Sequence, residues 1–160
     1  MATVAAGGDV VDISDVNLPN SVQDSNGDNA TGVTVTTTPQ NGATICGEAF
    51  TAPASGRVLI WFSGTFSTLV SGTGQHQMGP QVRSGATVGS GTVVFDPSVD
   101  PGCKVGSSVG QTLSAGCSIL VEGLTAGSSY NVCATYFGAT LGGTPTMSYF
   151  SRQVGAMPAP

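Results

Sequence analysis

Arg57-Val58-Leu59-Ile60-Trp61-Phe62-Ser63-Gly64-Thr65-Phe66 is the stretch on which the fold assignment turns. Val58, Ile60 and Phe62 fall on one side of an extended chain, Leu59 and Trp61 on the other. A period of two is that of a strand, and apolar residues on both sides predict a central strand covered on both faces. Upstream, the turn Ala52-Pro53-Ala54-Ser55-Gly56 closes a second candidate strand, Thr44–Thr51, and Val33-Thr34-Val35-Thr36 alternates as a half-buried strand does. Downstream, the glycines at 72 and 74 interrupt the pattern and Gln77–Arg83 resumes it. Thr92–Phe95 is closed by Asp96-Pro97, and Gln111–Leu113, Ser118–Glu122, Tyr130–Phe137 and Thr146–Val154 complete the set. Turn signals recur every 8 to 14 residues and no helical stripe of useful length appears. Together these predict an all-β protein, an antiparallel β-sandwich of jelly-roll type over residues 33–160, preceded by an extended N-terminal arm over residues 1–32.

Composition agrees. Charged residues make up 8% of the 160 positions, against about 25% in ordinary globular chains. There are 24 glycines but only two Glu and one Lys, so the best surface helix formers are nearly missing. The charge is uneven: residues 1–56 carry Asp9, Asp12, Asp15, Asp24, Asp28 and Glu48 and no base, a charge of −6. Residues 57–160 set Arg57, Arg83, Lys104 and Arg152 against Asp96, Asp100 and Glu122, a charge of +1. A phosphate backbone is recognised by clustered Lys and Arg, so nucleic-acid binding is not expected. No basic n-region with an h-region is legible at the start. The longest bulky apolar run, Val58–Phe62, is too short for a bilayer, so no membrane association is expected and synthesis in a cytosol is.

The arm holds no aromatic residue, and Asn20–Gly32 is dominated by Asn, Asp, Ser and Gly. Such a segment buries too little apolar surface to offset its own conformational entropy. Its docking residues would be Val10, Val11, Ile13, Val16 and Leu18, against a partner surface or, alternatively, against its own domain.

Residues suited to chemistry are sparse. Gly106-Ser107-Ser108-Val109-Gly110 has the form of a nucleophile elbow, but that motif needs a helix after it and a downstream His. The single histidine, His76, lies upstream in Gly74-Gln75-His76-Gln77 and reads as a surface-loop residue. Asp24-Ser25-Asn26-Gly27-Asp28-Asn29 superficially resembles a calcium loop. The Gly and Glu an EF-hand requires are replaced by Asn29 and Val35, so a tight turn is expected. Asn29-Ala30-Thr31 has the form of a glycosylation sequon. Cys46, Cys103, Cys117 and Cys133 contain no C-x-x-C pair, which disfavours zinc. They form either disulfides, with Cys103 and Cys117 the first pair to expect, or a set of small buried residues. Three carboxylates in the body are too few to make an acid–base pair readily. No enzyme activity, metal or cofactor is expected.

Leu124-Thr125-Ala126-Gly127-Ser128-Ser129-Tyr130-Asn131-Val132 is similar to the fibronectin type III corner, where a Leu and a Tyr six apart pin a loop against a sheet. It also looks like the last third of small β-sandwich structural proteins of tailed phages infecting actinobacteria. Phe50–Ile60 resembles the opening strands of those domains, Gln81–Gly85 through Val88–Val94 their middle, and Ser151-Arg152-Gln153-Val154 their closing strand. Gly8–Asn17 is similar to the start of many phage head and tail proteins. This resemblance implies a virion-surface protein that forms homotrimers. The expected role is capsid decoration, in which the arm and sandwich edges bind the major capsid protein or another virion protein. The alternative is a tail-tip or fibre module in which Trp61, Tyr136 or Tyr149 stacks on a receptor or cell-wall glycan.

Overall fold

A computed structural model describes residues 22–26, 30–69, 73–99, 105–107, 112–142 and 146–160. Val10, Val11, Ile13, Val16, Leu18 and Cys103 lie outside the described residues, as do Asn29 and residues 108–110. Among the described residues, eleven strands form two antiparallel sheets. The first sheet contains β1 (Val22–Asn26), β2 (Ala30–Thr34), β5 (Val58–Leu69), β9 (Thr112–Val121) and β11 (Thr146–Pro158). The second contains β3 (Gln40–Asn41), β4 (Gly47–Thr51), β6 (Thr73–Ser84), β7 (Val93–Phe95), β8 (Val105–Ser107) and β10 (Ser129–Gly142).

Three pairs of short strands act as single broken ribbons. β1 and β2 both pair with β11, β3 and β4 both with β10, and β7 and β8 both with β6. Counted this way there are eight ribbons. The first sheet runs β1/β2, β11, β5, β9, and the second β3/β4, β10, β6, β7/β8. Ribbons one, eight, three and six therefore face two, seven, four and five, which is the double Greek key of a jelly roll.

The inner faces meet over Ile60, Phe62 and Phe66 of β5, Met78 and Val82 of β6, Val132 and Ala134 of β10, and Val154 of β11, all buried. Full burial of such side chains contributes about 1.5–3 kcal/mol each. β5 lies between β11 and β9, as a central strand should. Its second face, however, is only half-buried at Leu59, Trp61, Ser63 and Thr65, because among the described residues no further layer packs there. Two-sided burial belongs instead to β10. On its outer side Asn131, Cys133, Thr135 and Phe137 are buried as completely as Val132 and Ala134 on its inner side. The two short segments read as separate strands at Gln111–Leu113 and Ser118–Glu122 are one unbroken β9.

The boundary expected at Val33 falls inside β2. Residues 22–26 and 30–34 belong to the first sheet, the former paired in unbroken register with residues 152–156 of β11, the latter with residues 146–149 across a register shift between Met147 and Tyr149. Their polar composition is no obstacle, because a ribbon on a sheet edge is held by backbone hydrogen bonds to its neighbour. The described sandwich thus begins at Val22.

This boundary predicts the outcome of truncation. Removing residues 1–21 leaves a cooperative thermal transition close to that of the full chain. Removing residues 1–34 strips a ribbon from β11 and costs about 3 kcal/mol, roughly 6–12 °C in Tm. Calorimetry on the two truncations checks it.

Candidate functional site

The turn chemistry that the sequence highlights is structural. The Tyr130 hydroxyl accepts a hydrogen bond from the Thr125 backbone N–H at 3.0 Å, and both Leu124 and Tyr130 are buried. The Leu124 N–H in turn donates to the Gly56 carbonyl. Gly56 has φ 64°, and a Cβ there would meet the Leu124 carbonyl oxygen at 2.5 Å. Glycine is therefore needed at this corner on two counts.

Outer coverage of β10 depends on Asn131. Its Nδ2 donates to the carbonyls of Gly85 (2.9 Å) and Ser90 (3.1 Å), and its Oδ1 accepts from the Gly89 N–H (3.0 Å). One amide thereby satisfies three backbone groups of the β6–β7 loop and holds that loop over the sheet. Val88 reaches the space beside Gly47, where the Cys133 sulfur also lies.

The four cysteines fall into two groups. Cys117 is disulfide-bonded, whereas its expected partner Cys103 lies outside the described residues. Cys46 and Cys133 are buried, their thiols donating to the Arg152 carbonyl (3.5 Å) and to Asn131 Oδ1 (3.7 Å). Neither expectation, disulfides throughout or four small buried residues, covers both groups.

Tyr136 and Tyr149 are core residues, 8% and 1% exposed, with rings stacked at 5.1 Å. Neither can stack on a glycan. Arg152 extends the stack, its guanidinium 4.5 Å from the Tyr149 ring centroid. Burial raises the Tyr136 pKa, the Tyr149 phenol adds to the rise, and Arg152 opposes it. Arg152 is itself 1% exposed. It donates from Nη2 to the Thr44 carbonyl at 2.8 Å, while Nε and Nη1 have no acceptor among the described residues. Charge density shared with the Tyr149 face, worth about 2 kcal/mol when desolvated, offsets part of that cost.

His76 is not in a surface loop. It sits in β6 opposite Gly138 of β10 and Ser107 of β8. The side chain is fully buried, and neither ring nitrogen has a described partner. Glycines on both sides in the sequence obscured the strand. Among the described carboxylates, Asp96 caps its own turn by accepting from the Ser98 N–H and hydroxyl. Glu122 pairs with Arg57 at 2.8 Å on the surface, an arrangement worth about 0.2–1 kcal/mol. No group of three His, Cys, Asp or Glu among the described residues is placed to hold a metal ion.

Among the described residues, what remains accessible is the outer face of the first sheet. Its rows, read across β9, β5 and β11, are Leu120-Leu59-Met157, Ser118-Trp61-Gly155, Gly116-Ser63-Gln153 and Ser114-Thr65-Phe150. Leu120 and Met157 are 38% and 41% exposed. The Trp61 ring occupies the space a side chain at 155 would need, 2.6 Å from a Cβ there. Ser63, Thr65, Ser114, Ser151 and Gln153 line a shallow, open depression. These rows contain no charged residue; the Arg57–Glu122 pair lies beyond the Leu row. Trp61 was legible as an aromatic, but its place beside Leu120, Met157 and Gln153 depends on pairings distant in sequence.

Two substitutions test these assignments. Asn131→Ala leaves three backbone groups unpaired and destabilises by about 3 kcal/mol. It also speeds alkylation of Cys133 by releasing the loop above it; urea titration and thiol-labelling rates read the two effects. For His76, burial lowers the pKa below the 6.5 of the unfolded chain. The unfolded state therefore binds the proton more readily. Stability is complete above that pH and declines as pH falls below it. Denaturation curves between pH 7.5 and 5 show this loss, and His76→Leu flattens it.

No protein-family model matches the chain. No curated protein matches it. Among solved structures it is similar to infectious bursal disease virus Gx strain, at 14% identity and TM-score 0.47, over 88% of this chain and 33% of that one. The chain thus spans about a third of that relative's length. It is similar to the Bacillus endospore appendages described as disulfide-linked pili, at 16% identity and TM-score 0.32, over 99% and 98% of the two chains. The CBM22-1 xylan-binding domain of Paenibacillus barcinonensis Xyn10C aligns at 12% identity and TM-score 0.38, over 87% and 95%. All three scores are below one half, and the fold assignment rests on the strand pairing itself.

Proposed function

We propose that this chain is a phage virion structural protein without enzymatic activity, a capsid decoration protein. In this reading it cements the shell through its N-terminal arm and a self-associating β-sandwich, on the outside of particles assembled in a bacterial host. Its partners would be the major capsid protein, or another virion protein, and further copies of itself. The observation that carries the reading is the uncharged outer face of the first sheet, where Leu59, Trp61, Leu120 and Met157 form a partly exposed apolar band beside Ser and Thr. Covering such a face strips water from no charge in these rows, and the centre of an interface is where charged residues are depleted and aromatic residues and Met enriched. The acidic N-terminal region supports the same reading, because its −6 is matched by only +1 in the rest of the chain. Complementary contacts for it therefore have to come largely from elsewhere.

Trp61 favours one second reading, a glycan- or receptor-binding module of a tail tip or fibre. A half-exposed indole beside Ser63, Ser118 and Gln153 offers a sugar ring a stacking surface with polar neighbours. Tyr136 and Tyr149, being buried, contribute nothing to it.

Capsids stripped of this protein decide between the two. The full chain binds them, and the truncation lacking residues 1–21 binds at least tenfold more weakly, about 1.4 kcal/mol. Unchanged affinity of the truncation sinks the arm as anchor. Binding to a cell-wall glycan that Trp61→Ala abolishes, with no capsid binding, selects the second reading.

A further inference from the structure

The sandwich has four edge ribbons, and three of them are blunted. β1/β2 comprises two five-residue strands, and β1 carries Asp24. β3/β4 comprises strands of two and five residues and carries Glu48. β7 and β8 are three residues each, and β7 runs directly into Asp96-Pro97. Short strands, breaks, charges and proline are the devices by which sheets prevent edge-to-edge pairing.

β9 has none of them. Thr112-Leu113-Ser114-Ala115-Gly116-Cys117-Ser118-Ile119-Leu120-Val121 contains no charged residue and no proline. It pairs with β5 in unbroken register over all ten residues and, among the described residues, with no other strand. A regular strand of this kind presents a full row of backbone donors and acceptors to whatever lies beside it.

The sequence of β9 also identifies what fits there. About Gly116 the strand is nearly symmetric. In an antiparallel pairing of two β9 strands with Gly116 on the dyad, Ser114 faces Ser118 of the second copy, Leu113 faces Ile119, and Ala115 faces Cys117. Each matched pair lies on one side of the sheet. Ser114, Gly116 and Ser118 are outward, in register with Thr65, Ser63 and Trp61. Ala115, Cys117 and Ile119 are half-buried on the inner side. Leu113 and Leu120, 37% and 38% exposed, lie near the two ends of the strand and lose solvent in the pairing. No like charges meet. A two-fold contact is isologous, so a self-complementary strand is the surface it requires.

We propose that β9 is a homodimer interface, pairing antiparallel with β9 of a second copy about Gly116 to join two first sheets into one continuous sheet. This deepens the self-association in the proposed function and names a two-fold contact rather than the three-fold one that the family resemblance implies.

Size-exclusion chromatography with light scattering on the full chain at about 100 µM tests it. The wild type elutes at twice the protomer mass. The double variant Ser114→Lys/Ser118→Lys sets like charges opposite each other and weakens the dimer at least tenfold. So does Ser114→Glu/Ser118→Glu, whereas the two variants mixed form a heterodimer, which neither could do if misfolded. A monomeric or trimeric wild type, an unweakened Lys variant, or no heterodimer on mixing overturns the proposal. Capsid binding measured on the same samples separates the two ideas: a monomeric wild type that still binds capsids overturns the edge contact alone.

Discussion

A single extra residue in β11 organises one half of the molecule. Gly64 of β5 faces two residues, Ser151 and Arg152, because the register moves from Thr65↔Phe150 directly to Ser63↔Gln153. Ser151 takes φ 50°, a conformation uncommon for a residue with a side chain. Insertion of one residue reverses which side chains face inward. Met147 and Tyr149 are buried before the bulge, and Arg152, Val154 and Ala156 after it. Without it, Ser151 and Gln153 would occupy the core and Val154 would face solvent. In the neighbouring ribbon Asn26 of β1 pairs opposite Arg152 and Ala30 of β2 opposite Tyr149.

The bulge therefore brings a guanidinium indoors, and the surroundings accommodate it. Tyr149 offers its ring face, Thr44 a carbonyl, and Cys46 bonds to the Arg152 backbone. Gly42 is part of the same arrangement, since a Cβ there would come within 2.9 Å of Arg152 Nη1. A buried cation with no carboxylate beside it among the described residues contributes little net stability, but it restricts how the β3–β4 connection can lie against β11. On the opposite sheet Asn131 has the corresponding role for the β6–β7 loop, with better satisfied hydrogen bonds. Polar side chains thus fix the loops over each end of the core, while apolar ones fill it.

With its loops tied down in this way, the sandwich leaves, among the described residues, one broad face without charge in its central rows and one strand edge without a paired neighbour, and they adjoin along β9. A sheet with so few charges has little to keep it from associating through that region. Association of this kind requires no reactive group. His76 is buried in β6, and Asp96 bonds within its own turn.

Much was legible from the residues alone. The alternation at Val58–Phe62, the Pro and Gly turns and the scarcity of helix formers determine an all-β sandwich, because a period of two and frequent turns leave few other ways to bury those side chains. The Leu124–Tyr130 corner could be read the same way, being local. Tertiary structure alone decided the rest. It put β1 and β2 in the sheet, where polar residues are held by the backbone of a strand more than a hundred positions away. It covered β10 rather than β5 on both sides, because the β6–β7 loop folds back through Asn131. It placed His76 and Arg152 inside, since neither a strand pairing nor a bulge leaves a mark in local periodicity. The sequence determined what kind of sheets form; which strand lies at an edge among the described residues depends on the order in which distant strands meet.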